Sequence, residues 1–199
     1  MDIIENLERT TREAYSSSCP VTVDDLKKHL RVYSDSENDL MQAFIETAIE
    51  EVEDHCLKTI LETTYTLRLS AFPDREIFGL ERPIYLPRPP VASITSFKYK
   101  SKETGLDVSM VAGTDYLAAT RGNKPALHMV RGSEWPDSLV ADEPDSITIV
   151  YVAETTVVPF RVKLAIKLMA ATMWRFRESH TPAEIKEMNG FMSICALLN

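Results

Sequence analysis

Three carboxylates, Glu46, Glu50 and Asp54, recur at four-residue steps in "SDSENDLMQAFIETAIEEVEDHC". On a helix that spacing stacks them along one side, where they could gather a divalent cation for hydrolysis. The commoner meaning of such a run is a solvated or partner-facing surface. Other candidate chemistry is sparse. His29, His55, His128 and His180 stand at no HExxH or HxH spacing, and no neighbouring Cys or Asp completes a zinc set. His55 and Cys56 are adjacent, so on a helix they point about 100° apart and cannot form a nucleophile–base pair. Phosphate-cradling glycine loops and a GxSxG nucleophile elbow are both missing from the sequence. The residues compel no enzyme, and no cofactor or metal is expected.

The elements that hold these residues follow from periodicity. Residues 1–19, ending near "YSSS", read as a loose N-terminal arm. Thr22 is an N-cap with Asp25 three residues on, and Val23, Leu26, Leu30 and Tyr33 then make one apolar stripe. A second helix, capped by Ser34 or Ser36, carries two apolar rows: Leu40, Phe44, Ala48, Val52 and Cys56 beside Met41, Ile45 and Ile49. Its other face is acidic, with no Lys or Arg from Ser36 to Leu57.

The period then changes to two. Tyr65, Leu67 and Leu69 alternate with polar residues, and short strands are expected near Ile84–Leu86, Ser93–Lys100, Asp115–Ala119, Leu127–Val130 and Ser146–Val152. The last of these is apolar on both parities and so central. "YLPRPPVASITSFKYK" contains a PxxP, Pro87–Pro90, that could lie as a polyproline ligand. Apolar flanks and the strand that follows make it a corner instead. From Pro159 the helical period returns. Val162, Ile166, Met169 and Met173 line an inward face, and Arg161, Lys163 and Lys167 make this helix basic where the second is acidic.

The fold class expected is therefore α+β. Two N-terminal helices and a C-terminal helix (residues 20–60 and 157–199) form a bundle, interrupted by an antiparallel β-unit at 61–156, a small sandwich or barrel. The 199 residues, 44% of them hydrophobic, suffice for a sizeable core. A net charge of −8 disfavours general nucleic-acid binding. No run of eighteen apolar residues exists and Met1–Glu5 is acidic, which argues against a membrane span and a secretory signal. Cys19, Cys56 and Cys195 are odd in number and far apart, as expected of free thiols in a reducing compartment.

Together "PVTVDDLKKHLRV", "AFPD", "IYLPRPPVASITSFKY", "TDYLAA", "RGSEWPD", "SITIVYVA" and "VPFRVKLAIKLMAATMWRFRE" give a succession that resembles the head–tail connector (adaptor) proteins of tailed bacteriophages, from about Pro20 to Glu178. The resemblance implies a virion structural protein, not an enzyme. It would form a ring, typically a dodecamer, at the neck, assembled in the host cytoplasm, between the capsid portal and a tail or stopper protein. Duplex DNA would pass its channel without specific binding, at packaging's end and during ejection, and no membrane would be involved. The alternatives are a small carboxylate- or metal-dependent hydrolase and a stand-alone β-type binding module.

A ring needs two different complementary faces on each subunit. Glu50, Glu51, Glu53 and Asp54 on the acidic helix and Arg161, Lys163 and Lys167 on the basic one are the candidate pair, unless they neutralise one another within a subunit. Past Pro182, Met188, Phe191, Ile194, Leu197 and Leu198 recur at three- and four-residue steps around Gly190. They are the candidate segment for docking on the portal.

Overall fold

The computed structural model describes residues 9–15, 19–73, 82–136 and 140–176. Two compact units divide the chain: residues 17–60 with 155–199, and residues 1–16 with 61–154. The first holds three helices among the described residues, α1 (Val23–Leu30), α2 (Asn38–Cys56) and α3 (Phe160–Arg175). The second holds eight strands among the described residues, all paired antiparallel. The class is α+β.

In the helical unit, α1 begins as its sequence dictates. Thr22 Oγ1 accepts the Asp25 N–H at 3.1 Å, while the Asp25 carboxylate accepts the Thr22 N–H at 3.4 Å, a reciprocal capping box. Helix α2 starts later than expected, with Glu37 at the N-cap and no side-chain cap. Ser34 and Ser36 instead hydrogen-bond each other at 2.8 Å in the preceding turn. Lys27, buried, reaches Asp35 at 2.5 Å and Asn38 at 3.2 Å, tying α1 to the start of α2. The buried row of α2 is Met41, Ile45, Ala48, Ile49 and Val52, and that of α3 is Val162, Ile166, Met169 and Met173. The two helices pack together, with Phe44 meeting Trp174 edge-on at 6.5 Å. Leu40, expected within the stripe, lies at its margin and is exposed.

In the β-unit, one five-stranded sheet runs β1 (Thr10–Tyr15), β2 (Thr63–Leu69), β8 (Ile147–Ala153), β4 (Val91–Lys100), β5 (Asp107–Ser109). A three-stranded sheet runs β3 (Ile84–Tyr85), β7 (Ala126–Met129), β6 (Tyr116–Ala119). The two share one core: Leu67, Ile149 and Phe97 from the first meet Ile84, Leu127 and Tyr116 from the second. The strand expected to be central is central, and Ile147, Ile149, Tyr151 and Ala153 of β8 are all buried. Residues 10–15, expected in a loose arm, form an edge strand on β2. Their polar sequence TTREAY has no inward alternation to betray a strand; the open edge of β2 supplies the partner.

The proline cluster is a corner. Pro87 and Pro89 are buried, Arg88 adopts a left-handed conformation (φ 59°), and the Pro89–Pro90 bond is cis. Tyr151 Oη donates to the Pro87 carbonyl at 2.7 Å, and the Glu154 N–H donates to that of Pro90 at 3.0 Å. No polyproline ligand is on offer. The quoted motifs "AFPD" and "RGSEWPD" likewise serve the core, since Phe72 stacks on Trp135 at 5.1 Å and 8°.

Candidate subunit interface

The acidic face of α2 is real but narrower than the sequence suggests. Glu50 and Asp54 are exposed and Glu51 is half-buried. Glu53 is not a surface residue: it is 1% exposed and accepts a hydrogen bond from the Ile60 N–H at 2.5 Å. Helix geometry explains this. Glu53 lies one turn beyond Ile49 on the inward side, and α2 ends in a left-handed Leu57 (φ 52°) that turns residues 58–60 back onto that turn. A buried carboxylate that satisfies a backbone donor is a structural group, so Glu53 leaves the interface set.

Glu46, Glu50 and Asp54 do share the exposed side of α2. Glu46 accepts a hydrogen bond from Gln42 Nε2 at 2.8 Å. Beside it sits the half-buried, free thiol of Cys19. Burial pushes that thiol up, Glu46 pushes it further, and a hydrogen bond with Gln42 opposes both. A thiol so held is a poor nucleophile. Among the described residues, no three His, Cys, Asp or Glu side chains converge as a metal site. Cys56 is not the free thiol expected from the sequence; it is disulfide-bonded.

The basic face lies on α3. Arg161 is exposed, and Lys163 and Lys167 are half-buried. The Lys167 ammonium sits 5.8 Å from the centre of the Phe160 ring, a cation–π contact across two turns. Asp25 on α1 feels it too. Its carboxyl is held below the usual range, first by the hydrogen bonds with Thr22 and then by the charges of Lys167 and Lys28. Part of the basic charge is therefore answered within the helical unit, by α1 rather than by α2. The acidic side of α2 and the basic side of α3 remain exposed on two different helices. The expected docking residues Met188, Phe191, Ile194, Leu197 and Leu198 lie outside the described residues.

The exposed side chains that the sequence did not single out as candidates are apolar. Phe160, Leu164 and Leu168 stand exposed on α3, along with Val157 just before it. Their four-residue spacing was visible, but it was absorbed into one broad helical stripe.

Residues 20–102 match the family of phage gp6-like head–tail connector proteins. In fold the chain is similar to a protein in the virion of a native gene transfer agent particle, with a TM-score of 0.73 at 18% identity, covering 94% of this chain and 93% of that one. It is also similar to a protein in the neck of the empty particle solved with C6 symmetry (TM-score 0.66, 18% identity, 92% and 93% covered). A third similar chain comes from the neck of the native particle solved with C12 symmetry (TM-score 0.65, 16% identity, 94% and 93% covered). No curated protein matches the chain in sequence. The family match over residues 20–102 and the fold likeness point in the same direction as the resemblance read from the sequence.

Proposed function

We propose that this chain is a head–tail connector that forms a ring between the capsid portal and the tail or a stopper protein. Twelve copies enclose a channel that DNA crosses after packaging and during ejection. The family match carries this reading. Support comes from necks of similar fold solved with C12 and C6 symmetry, in which subunits repeat around an axis. The chain's net charge of −8 suits a conduit, because a polyanion slides past a wall that lacks clustered phosphate-binding cations.

Ring closure on this reading joins the carboxylates Glu50, Glu51 and Asp54 of one subunit to Arg161, Lys163 and Lys167 of the next. The apolar positions of residues 184–199 dock on the portal, and assembly takes place in the host cytoplasm. Nothing specific favours a hydrolase, since the carboxylates of α2 are spread along a surface rather than gathered. The fold likeness spans helices and β-unit alike, which does not favour a stand-alone β-module.

Electron microscopy of the purified protein, alone and mixed with its cognate portal protein, tests the reading. Rings, alone or seated on the portal, are the expected outcome. A chain that remains monomeric and passes the portal without binding would refute it.

A further inference from the structure

Phe160, Leu164 and Leu168 follow one another at four-residue steps, on the side of α3 opposite its buried row. They are 75%, 40% and 52% exposed, which leaves a helix apolar on two sides rather than one. The row continues into Thr172, whose hydroxyl donates back to the Leu168 carbonyl at 2.9 Å, so its methyl group is what faces outward. Flanking cations give the row a sign: Arg161 on one side, Lys163 and Lys167 on the other.

Helix α2 carries the complement. Its exposed side presents Ala43 and Thr47, two small residues one turn apart, and the Thr47 hydroxyl donates to the Ala43 carbonyl at 2.9 Å. Again a methyl faces out, and the strip is shallow and apolar. Glu46 and Glu50 border it, and no cation lies between Ser36 and Leu57.

We propose that the Phe160–Leu164–Leu168 row of one copy seats on the Ala43–Thr47 strip of a second copy of this chain, and that this apolar seam, rather than the charges beside it, is the centre of the subunit contact. The proposal rests on the ring reading above. Charge selects the occupant. Packing two α3 rows against each other would bring Arg161, Lys163 and Lys167 of both copies together, which like-charge repulsion opposes. Packing α3 on α2 puts cations beside carboxylates and bulky side chains over small ones. Because the two patches differ, each copy in a pair keeps one patch unused, and the contact propagates around a ring.

The test uses the full chain. Sedimentation at rising concentration should show reversible association of the unaltered protein. Phe160→Ser and Leu168→Glu should each weaken it about tenfold or more, as expected for withdrawing a large apolar side chain from a contact. Both positions are exposed, so melting temperatures should stay unchanged, and a fall in melting would place the row in the subunit's own core and overturn the proposal. In a Cys19→Ser background, Leu164→Cys with Thr47→Cys should cross-link into a ladder of dimers, trimers and higher species. Dimers from Leu164→Cys alone would mean symmetric pairing and overturn the assignment. So would a Leu164→Cys thiol shielded from reagent at dilutions where only monomers exist, since the chain's own residues would then cover the row. Association without the ladder leaves the ring and removes this seam. No association and no cross-link, either alone or with the cognate portal protein present, removes both.

Discussion

Tyr151, in the central strand of the five-stranded sheet, donates its hydroxyl to the carbonyl of Pro87 across 64 residues of sequence, at 2.7 Å. The bond pins the proline corner to β8, and burial pushes that hydroxyl's ionisation far above the usual phenol range, so it remains a donor at any working pH. Tyr151→Phe keeps the packing and orphans the Pro87 carbonyl. A loss of about 1–3 kcal/mol in denaturant unfolding is expected, the usual cost of an unsatisfied buried acceptor. An unchanged midpoint would mean the corner is held by its prolines alone.

The helical unit depends on the α2–α3 contact. Ile166 is fully buried there, so Ile166→Ala should cost about 2–5 kcal/mol, and Ile166→Asp should leave the protein insoluble or unfolded. Soluble Ile166→Asp protein with unaltered melting would contradict the observed packing.

Glu50 and Glu53 stand three residues apart on α2, the first exposed and the second buried. Glu53→Ala strips the Ile60 N–H of its acceptor and should cost about 1–3 kcal/mol of subunit stability. Glu50→Ala, at an exposed position, should change stability by no more than about 1 kcal/mol and act on assembly instead. Parallel melting and sedimentation of the two variants measure this split.

Thr22 and Asp25 set the acid sensitivity of α1. The Asp25 carboxyl is depressed in the folded chain, so its contribution is present above the unfolded value of about 3.9 and is lost as pH falls through the lower folded value. Amide exchange in the first turn of α1 should rise below about pH 4. Thr22→Ala should bring the same loosening to neutral pH, at about 0.5–2 kcal/mol. Protection that is indifferent to both would show that packing alone holds this end.

Assembly should also weaken as salt rises, because exposed pairs are screened beyond about 10 Å at 0.1 M. With an apolar seam at the centre, the slope should be shallow. Light scattering across a salt series reads it, and a steep fall to monomers would return the contact to the charges alone.

Much of this was legible in the sequence, for physical reasons that differ by element. The capping box of α1, the burial of Val162, Ile166, Met169 and Met173, and the central place of β8 follow from periodicity and from hydrogen-bonding capacity, both local properties. The strand at Thr10–Tyr15 was hidden, because an edge strand needs only a neighbour's backbone and leaves no apolar alternation. The short strand β5 was hidden likewise, its three residues all exposed. At the candidate interface, the charges of α2 and α3 were plain. The burial of Glu53 was not, since it depends on where the chain turns after Leu57. Nor was the outward row of Phe160, Leu164 and Leu168, because a helix apolar on two sides reads in sequence as one wide stripe.

Thr63, near the start of the β-unit, pairs in register with Ala153, near its end. On the helical side, the Thr155 hydroxyl donates to the Thr59 carbonyl. Departure and return of the chain are therefore neighbours, separated by no more than one strand spacing, about 5 Å. The residues between them can be lengthened or shortened with little entropic penalty to the helices that flank them, because the two ends of that stretch are already held together.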